Sequence, residues 1–183
     1  MTPAGSSATP PLQHYTVVPD RSAIAIEVTT SLGPITFGAT GLEGLMGVAV
    51  RGAAVDLAVG VTAHLELQVR NLTSGNSAYD GELQRHIDAR RFPAAYVDLH
   101  HADRVDGDDS SRYLVRGEVM FRGVTELVEG LVTVDFSQPG VMVVRGERAL
   151  DIRLFEIPPP SVFMFKLEPE VMVSLQLEAR LSS

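Results

Sequence analysis

The sequence predicts an all-β protein whose antiparallel strands share one apolar interior, and three observations predict it. From Val171 to Leu181 the odd positions are Val171, Val173, Leu175, Leu177, Ala179 and Leu181, with Met172, Ser174, Gln176, Glu178 and Arg180 between them. Side chains on a strand alternate between faces, so this segment has one apolar face and one mostly polar face. The same alternation runs through Val61, Ala63, Leu65, Leu67 and Val69 against Thr62, His64, Glu66, Gln68 and Arg70. Such segments recur with little helix to cover them, so their apolar faces must meet one another, in a sandwich or inside a barrel. Whether that interior is filled or hollow decides what the protein can do.

The elements follow in order. Residues Met1–Gln13 are rich in Pro, Ser, Thr, Ala and Gly and read as a disordered tail, leaving 14–183 as one domain. Tyr15–Thr30 reads as the first strand, with Ile24, Ile26 and Val28 on one face and a bend at Pro19-Asp20. Gly33-Pro34 is a turn. The glycine-rich stretch Ile35–Leu57 fits two curved strands. After the clean strand Val61–Arg70 and the loop Thr73–Asn76, Tyr79–Arg90 reads as the one helix. Leu83 and Ile87 sit on its apolar face, Asp80 is a candidate cap, and Phe92-Pro93 is the stop. Ala95–His101 is a strand and Asp106–Asp109 a hairpin loop. Tyr113–Phe121, Leu127–Phe136, Val141–Arg145 and Leu150–Phe155 follow as strands, with turns at Gln138–Gly140 and near Gly146. Pro158–Pro160 is a rigid break, and Val162–Leu167 and Val171–Leu181 close the chain. Strands joined by short turns imply an antiparallel meander, and about eight can close a barrel with room for packed side chains or one small ligand.

Composition removes several function classes. With 183 residues and 45% hydrophobic content the chain suits one domain with an ample core. A net charge of -8 and the lack of an arginine-rich stripe argue against nucleic acid. Cysteine is absent, which removes disulfides, thiolate metal sites and Cys nucleophiles. The first ten residues have neither the basic nor the apolar region of a secretory signal, so the expected location is cytoplasmic. The apolar runs fall short of the roughly 20 residues a spanning helix needs, so no stable membrane insertion is expected.

Four segments resemble, in order, the YceI-like, polyisoprenoid-binding proteins. Tyr15–Thr30 resembles their opening strand, and Thr73–Pro93 (TSGNSAYDGELQRHIDARRFP) their loop and helix. Gly117–Val124 with Thr125 resembles their G-x-L-x-x-x-G-V-T hairpin, and Leu150–Ile157 (LDIRLFEI) their R-x-x-F-G-I signature. The chain departs at Arg21 and Arg122, where the family often has His, and at Glu156, where it has Gly. The resemblance implies an extended antiparallel barrel, lipocalin-like, of about eight strands with one short helix in a connection. It also implies a binding function: a long isoprenoid lipid, such as a polyprenyl phosphate or quinone, held in the barrel without catalysis. The apolar candidate contacts are then Ile24, Ile26, Val28, Leu65, Leu67, Leu83, Val173, Leu175 and Leu177. The polar candidates for a head group, taken through the resemblance, are Asn76, Asp80 and Arg153, since Arg suits bidentate phosphate contacts. Structural roles compete: Arg153 can pair with Asp151 or Glu156, and Asp80 can simply cap the helix.

No metal, cofactor or catalytic constellation is expected. On a regular strand His100 and His101 point to opposite faces, and zinc wants three or four convergent ligands. Glu82, His86 and Arg90 read as surface i, i+4 pairs, and His64 as a solvated side chain. Glu168 and Glu170 read as solvated carboxylates, and no hydrolase, zincin, P-loop or dinucleotide motif is present. Met46, Met120, Met142, Met164 and Met172 fall in strand-like stretches and suit either packing or an adaptable lipid-contacting wall. The competing reading is a filled barrel that serves as an interaction module or homodimer, burying Met120 and Leu127 or the Leu83/Ile87 helix.

Overall fold

In the computed structural model, which describes residues 8–105, 107, 111–158 and 166–183, ten strands form one sheet that closes on itself. The barrel circuit is β1 (Gln13–Val17), β4 (Glu43–Val48), β7 (Val61–Gln68), β8 (Ala94–Arg104), β9 (Arg112–Phe121), β10 (Val124–Asp135), β11 (Val141–Asp151) and β12 (Leu167–Leu181). β12 pairs with β1 and so completes a closed barrel of 8 antiparallel strands. The remaining two strands of the sheet, β2 (Ala23–Thr30) and β3 (Gly33–Thr40), form a hairpin beside β12. A short hairpin of β5 (Val50–Arg51) and β6 (Ala54–Val55) stands apart.

The expected single strand Tyr15–Thr30 is two strands, and the break sets the shape of the barrel. Pro19–Arg21 form a 3-10 turn with proline at its start. The buried Ser22 hydroxyl donates to the Val18 carbonyl at 2.8 Å and pins the turn. The chain thereby changes partners along β12: β1 pairs with Ala179–Leu181, β2 with the stretch from Leu167 to Gln176. At about 3.3 Å per residue the 15 residues of β12 reach roughly 50 Å, so the barrel is long.

Other expectations shift for local reasons. The helix, α1, spans Ser77–His86. Asn76, not Asp80, caps it, accepting from the Ala78 and Tyr79 amides at 3.0 and 3.4 Å. It stops before Phe92-Pro93, at left-handed Asp88 (φ 54°), a conformation common just past a helix end. Gly146 lies inside β11 rather than at a turn, and Leu150–Phe155 is the end of β11 followed by a 3-10 turn at Ile152–Phe155. Ala8–Leu12 carry no regular structure, while Met1–Gly5, Ser6 and Ser7 lie outside the described residues. So do Asp106, Asp108 and Asp109 of the expected hairpin loop, Pro159 and Pro160 of the break, and Val162–Phe165 of the expected strand, Met164 among them.

β8 carries a bulge between Leu99 and His101 opposite Gly117. A Cβ at Gly117 would run into the Asp98 carbonyl oxygen and approach the Leu99 Cα to 2.8 Å, so only glycine admits this strand approach. The bulge also breaks the alternation expected at His100-His101: both imidazoles are exposed, and His101 pairs with Asp103 at 3.2 Å.

The core has two unlike halves. Around β1 and the C-terminal end of β12 it is filled by Tyr15, Val17, Tyr113, Met142, Val144 and Leu177, all 5% exposed or less. Tyr113 is anchored there by the Val55 amide, which donates to its oxygen at 2.9 Å. The other half, toward the β2–β3 and β9–β10 turns, is hollow.

Candidate functional site: the hollow half of the barrel

The hollow half encloses a cavity of about 370 Å³, within the lower part of the range of small-molecule pockets. Its wall is built from the inward positions of alternating strands. β2 supplies Ile24, Ile26 and Val28, and β3 supplies Ile35 and Phe37. β7 supplies Leu65 and Leu67, β8 Val97 and Leu99, β9 Val115, Val119 and Phe121, and β12 Val171, Val173 and Leu175. These are mostly branched aliphatics, and the rings of Phe37, Phe121 and Phe155 stand among them.

α1 covers part of this wall. Gln84 donates from its side-chain amide to the Val69 carbonyl at 3.0 Å and holds the helix in place. Leu83 and Ile87 then line the cavity with Val69 and Leu72, at the start and just past the end of the 3-10 turn Val69–Asn71. His86 lines the cavity too, and its Nε2 is buried without a hydrogen-bond partner. The expectation of a surface pair with Glu82 fails, because Glu82 pairs with Arg85 instead. His86 follows Leu83 by three residues and so shares its stripe of the helix, a signal present in the sequence.

Among the described residues the other polar side chains at the cavity are Thr30, Glu129, Glu147 and Arg148. Thr30 is satisfied within its turn, donating to the Gly33 carbonyl at 2.7 Å. The remaining three stand where β10 and β11 separate. No group of three or more His, Asp or Glu among the described residues is placed to hold a metal ion.

Eight of the proposed apolar contacts, Ile24, Ile26, Val28, Leu65, Leu67, Leu83, Val173 and Leu175, line the cavity. Leu177 does not; it is 1% exposed in the packed half. The three polar candidates also stand outside the lining. Asn76 caps α1. Asp80 accepts from the Thr73 hydroxyl at 2.5 Å and from the Ser74 amide and hydroxyl at 2.7 Å each, which holds its carboxyl below the usual aspartate range. Arg153 forks onto Asp151 at 2.6–3.1 Å, lowering the Asp151 pKa and raising its own. These carboxylates organise loops. The described methionines are not in the cavity wall: Met142 is packed, and Met120 and Met172 are exposed on the outside. His64 is exposed as expected but not free, bonding Asp98 at 2.6 Å and stacking on Tyr96. Sequence reasoning missed the walls from β3, β8 and β9: Gly117 interrupts the inward face of β9, a bulge shifts β8, and glycine and threonine dilute β3.

A second depression, about 830 Å³, lies on the barrel exterior across β10, β11, β12, β2 and β3. It is broad and open to solvent, and its floor is of small residues such as Ala23, Ala25, Gly38 and Ser174. It offers little contact to a ligand, so the smaller enclosed cavity is the better site.

No family model matches the sequence, and no curated protein does. Solved structures do. BcnA of Burkholderia cenocepacia superposes with a TM-score of 0.73 at 17% identity, covering 88% of this chain and 98% of its own. A polyisoprenoid-binding domain from Saccharophagus degradans gives 0.73 at 13% identity, covering 92% and 98%. The YceI protein of Campylobacter jejuni gives 0.57 at 10% identity, covering 75% and 85%. Among the described residues no helix is long and apolar enough to cross a membrane. The chain therefore has the extended, helix-bearing β-barrel fold of the YceI-like proteins.

Proposed function

We propose that this chain binds a long apolar molecule of isoprenoid type in the hollow half of its barrel and shelters or carries it without chemistry. The observation that carries this reading is the aliphatic cavity of about 370 Å³, which the packed half closes at one end. The fold shared with a polyisoprenoid-binding domain supports it. Burying about 300 Å² of prenyl surface at about 25 cal/mol per Å² supplies on the order of 7 kcal/mol before the costs of association. The groups whose pKa is shifted, Tyr15, Asp56, Asp80, Asp151 and Arg153, all lie outside the cavity lining, which favours binding over acid–base catalysis.

The almost wholly aliphatic lining favours an uncharged head. Arg148 would attract a phosphate, but the Glu147 carboxylate next to it opposes one, and Glu129 is already paired with Arg116 at 3.2 Å on the outer face. Native mass spectrometry after gentle purification, and again after incubation with geranylgeraniol or decylubiquinone, tests the reading. One adduct per chain is expected. A bare mass in both experiments would overturn it.

A further inference from the structure

β10 and β11 pair over four positions only, from Val132↔Gly146 to Asp135↔Val143. Beyond that point each strand keeps its other neighbour: β10 stays on β9 back to Val124, and β11 stays on β12 out to Asp151. Continuing the register would set Leu131 against Glu147, Gly130 against Arg148 and Val128 against Leu150, and none of these pairs forms. Unpaired backbone in the middle of a barrel wall needs a reason, because it forgoes ladder bonds and exposes two strand edges.

The separation is closed again at its far end. The β9–β10 turn has left-handed Arg122 and Gly123 (φ 54° and 76°), the conformation of a tight hairpin. From that turn the Arg122 guanidinium donates to the Phe155 carbonyl at 3.3 Å and to the Glu156 carbonyl. The turn is thus tied to the 3-10 segment that follows β11. Among the described residues the result is a window in the wall, framed by two strands, a short ladder and this tie.

The window opens into the cavity. Successive residues of both strands touch the cavity, Glu129, Gly130 and Leu131 on one and Glu147 and Arg148 on the other. Successive side chains on a strand face opposite sides, so a cavity that meets both sets passes between the strands to the exterior. The two glycines report the same thing. A Cβ at Gly146, where the strands still pair, would come within 3.0 Å of Val132 and 3.1 Å of the Leu131 carbonyl. At Gly130 it would meet nothing within 4 Å. The outer rim carries three exposed leucines, Leu127, Leu131 and Leu154 (78%, 45% and 48%), with the carboxylates of Glu129 and Glu147 among them.

We infer that the window between β10 and β11 is the passage by which an apolar chain enters and leaves the cavity. This rests on the binding reading above. The opposite end of the barrel is blocked by packed side chains, whereas the window presents leucines outside, flanked by Glu129 and Glu147, and leads past Arg148 to aliphatics within. A flexible prenyl chain can thread it without any strand unfolding.

The chain has no cysteine, so Glu129→Cys with Ala149→Cys places a unique thiol pair on facing rims, three positions past the last ladder pair. A short dithiol-reactive crosslinker then bars the window, and the same protein before crosslinking is the reference. Geranylgeraniol uptake, followed over time by native mass spectrometry, should slow by about tenfold or more on crosslinking while the final occupancy is kept. Gly130→Trp, which fills the window from within, should slow uptake as well. Equal rates before and after crosslinking would overturn the passage and leave the binding reading intact. No uptake by the uncrosslinked protein would overturn both.

Discussion

The two halves of this barrel are made by the same strands, and they differ in what those strands turn inward. β9 gives Tyr113 to the packed half and Val115, Val119 and Phe121 to the hollow one. β12 gives Leu177 and Ala179 to the first and Val171, Val173 and Leu175 to the second. The ring of Tyr113, held by the Val55 amide and covered by the Arg104 guanidinium at 5.8 Å, fills space that no residue fills further along. A continuous sheet can therefore be a core at one end and a container at the other.

That division can be broken most severely in the packed half. Tyr113→Ala should cost about 3–5 kcal/mol and lower Tm by roughly 10 °C, whereas Val173→Ala should cost below about 1.5 kcal/mol. The methyls lost from Val173 already face open space. Calorimetry on both variants checks the contrast, and similar losses would mean that the two halves are equally packed.

Adding volume should reverse the contrast. Val144→Phe forces a ring into a filled site and should cost about 1–3 kcal/mol, while Val119→Phe, pointing into the cavity, should cost less than about 1 kcal/mol. Urea denaturation midpoints measure both. His86→Leu sharpens the comparison in another way. It removes an unpaired buried nitrogen, so the empty protein should gain up to about 1 kcal/mol of stability.

The smallest effect lies outside both halves, in the loop before α1. Hydrogen bonds from Thr73 and Ser74 lower the folded-state pKa of Asp80. A depressed carboxylate contributes its stability above the unfolded aspartate value near 3.9, and loses it as pH falls through the lower folded value. Asp80→Asn should therefore reduce stability at neutral pH and flatten the acid side of the stability profile below about pH 4. An acid limb unchanged from the parent would remove Asp80 from this role.

What the sequence made legible was whatever is local. β7 and β12 alternate cleanly, and Pro19-Asp20 marks the break that lets β12 change partners. The hollow half was open to argument because Val, Ile and Leu dominate the strands. The window was not legible, since β10 and β11 each read as ordinary strands and only their pairing shows that they part. Alternation assigns Leu177 a face but not a height along the barrel axis, and its height puts it in the packed half. Asp80 suits a cap by residue type, but the helix starts at Ser77 and Asn76 takes the role. His86 shares a stripe with Leu83 as well as a turn with Glu82, and packing decides between them.

The account stands on the hollow half taking up an apolar chain. The most direct measurement is the geranylgeraniol stoichiometry of the parent protein and of Val119→Phe, by native mass spectrometry at matched concentrations. The prediction is one adduct per parent chain and at least about tenfold weaker binding to Val119→Phe, since each 1.4 kcal/mol of lost contact is tenfold in affinity. Full occupancy of Val119→Phe, or none of the parent, would contradict it.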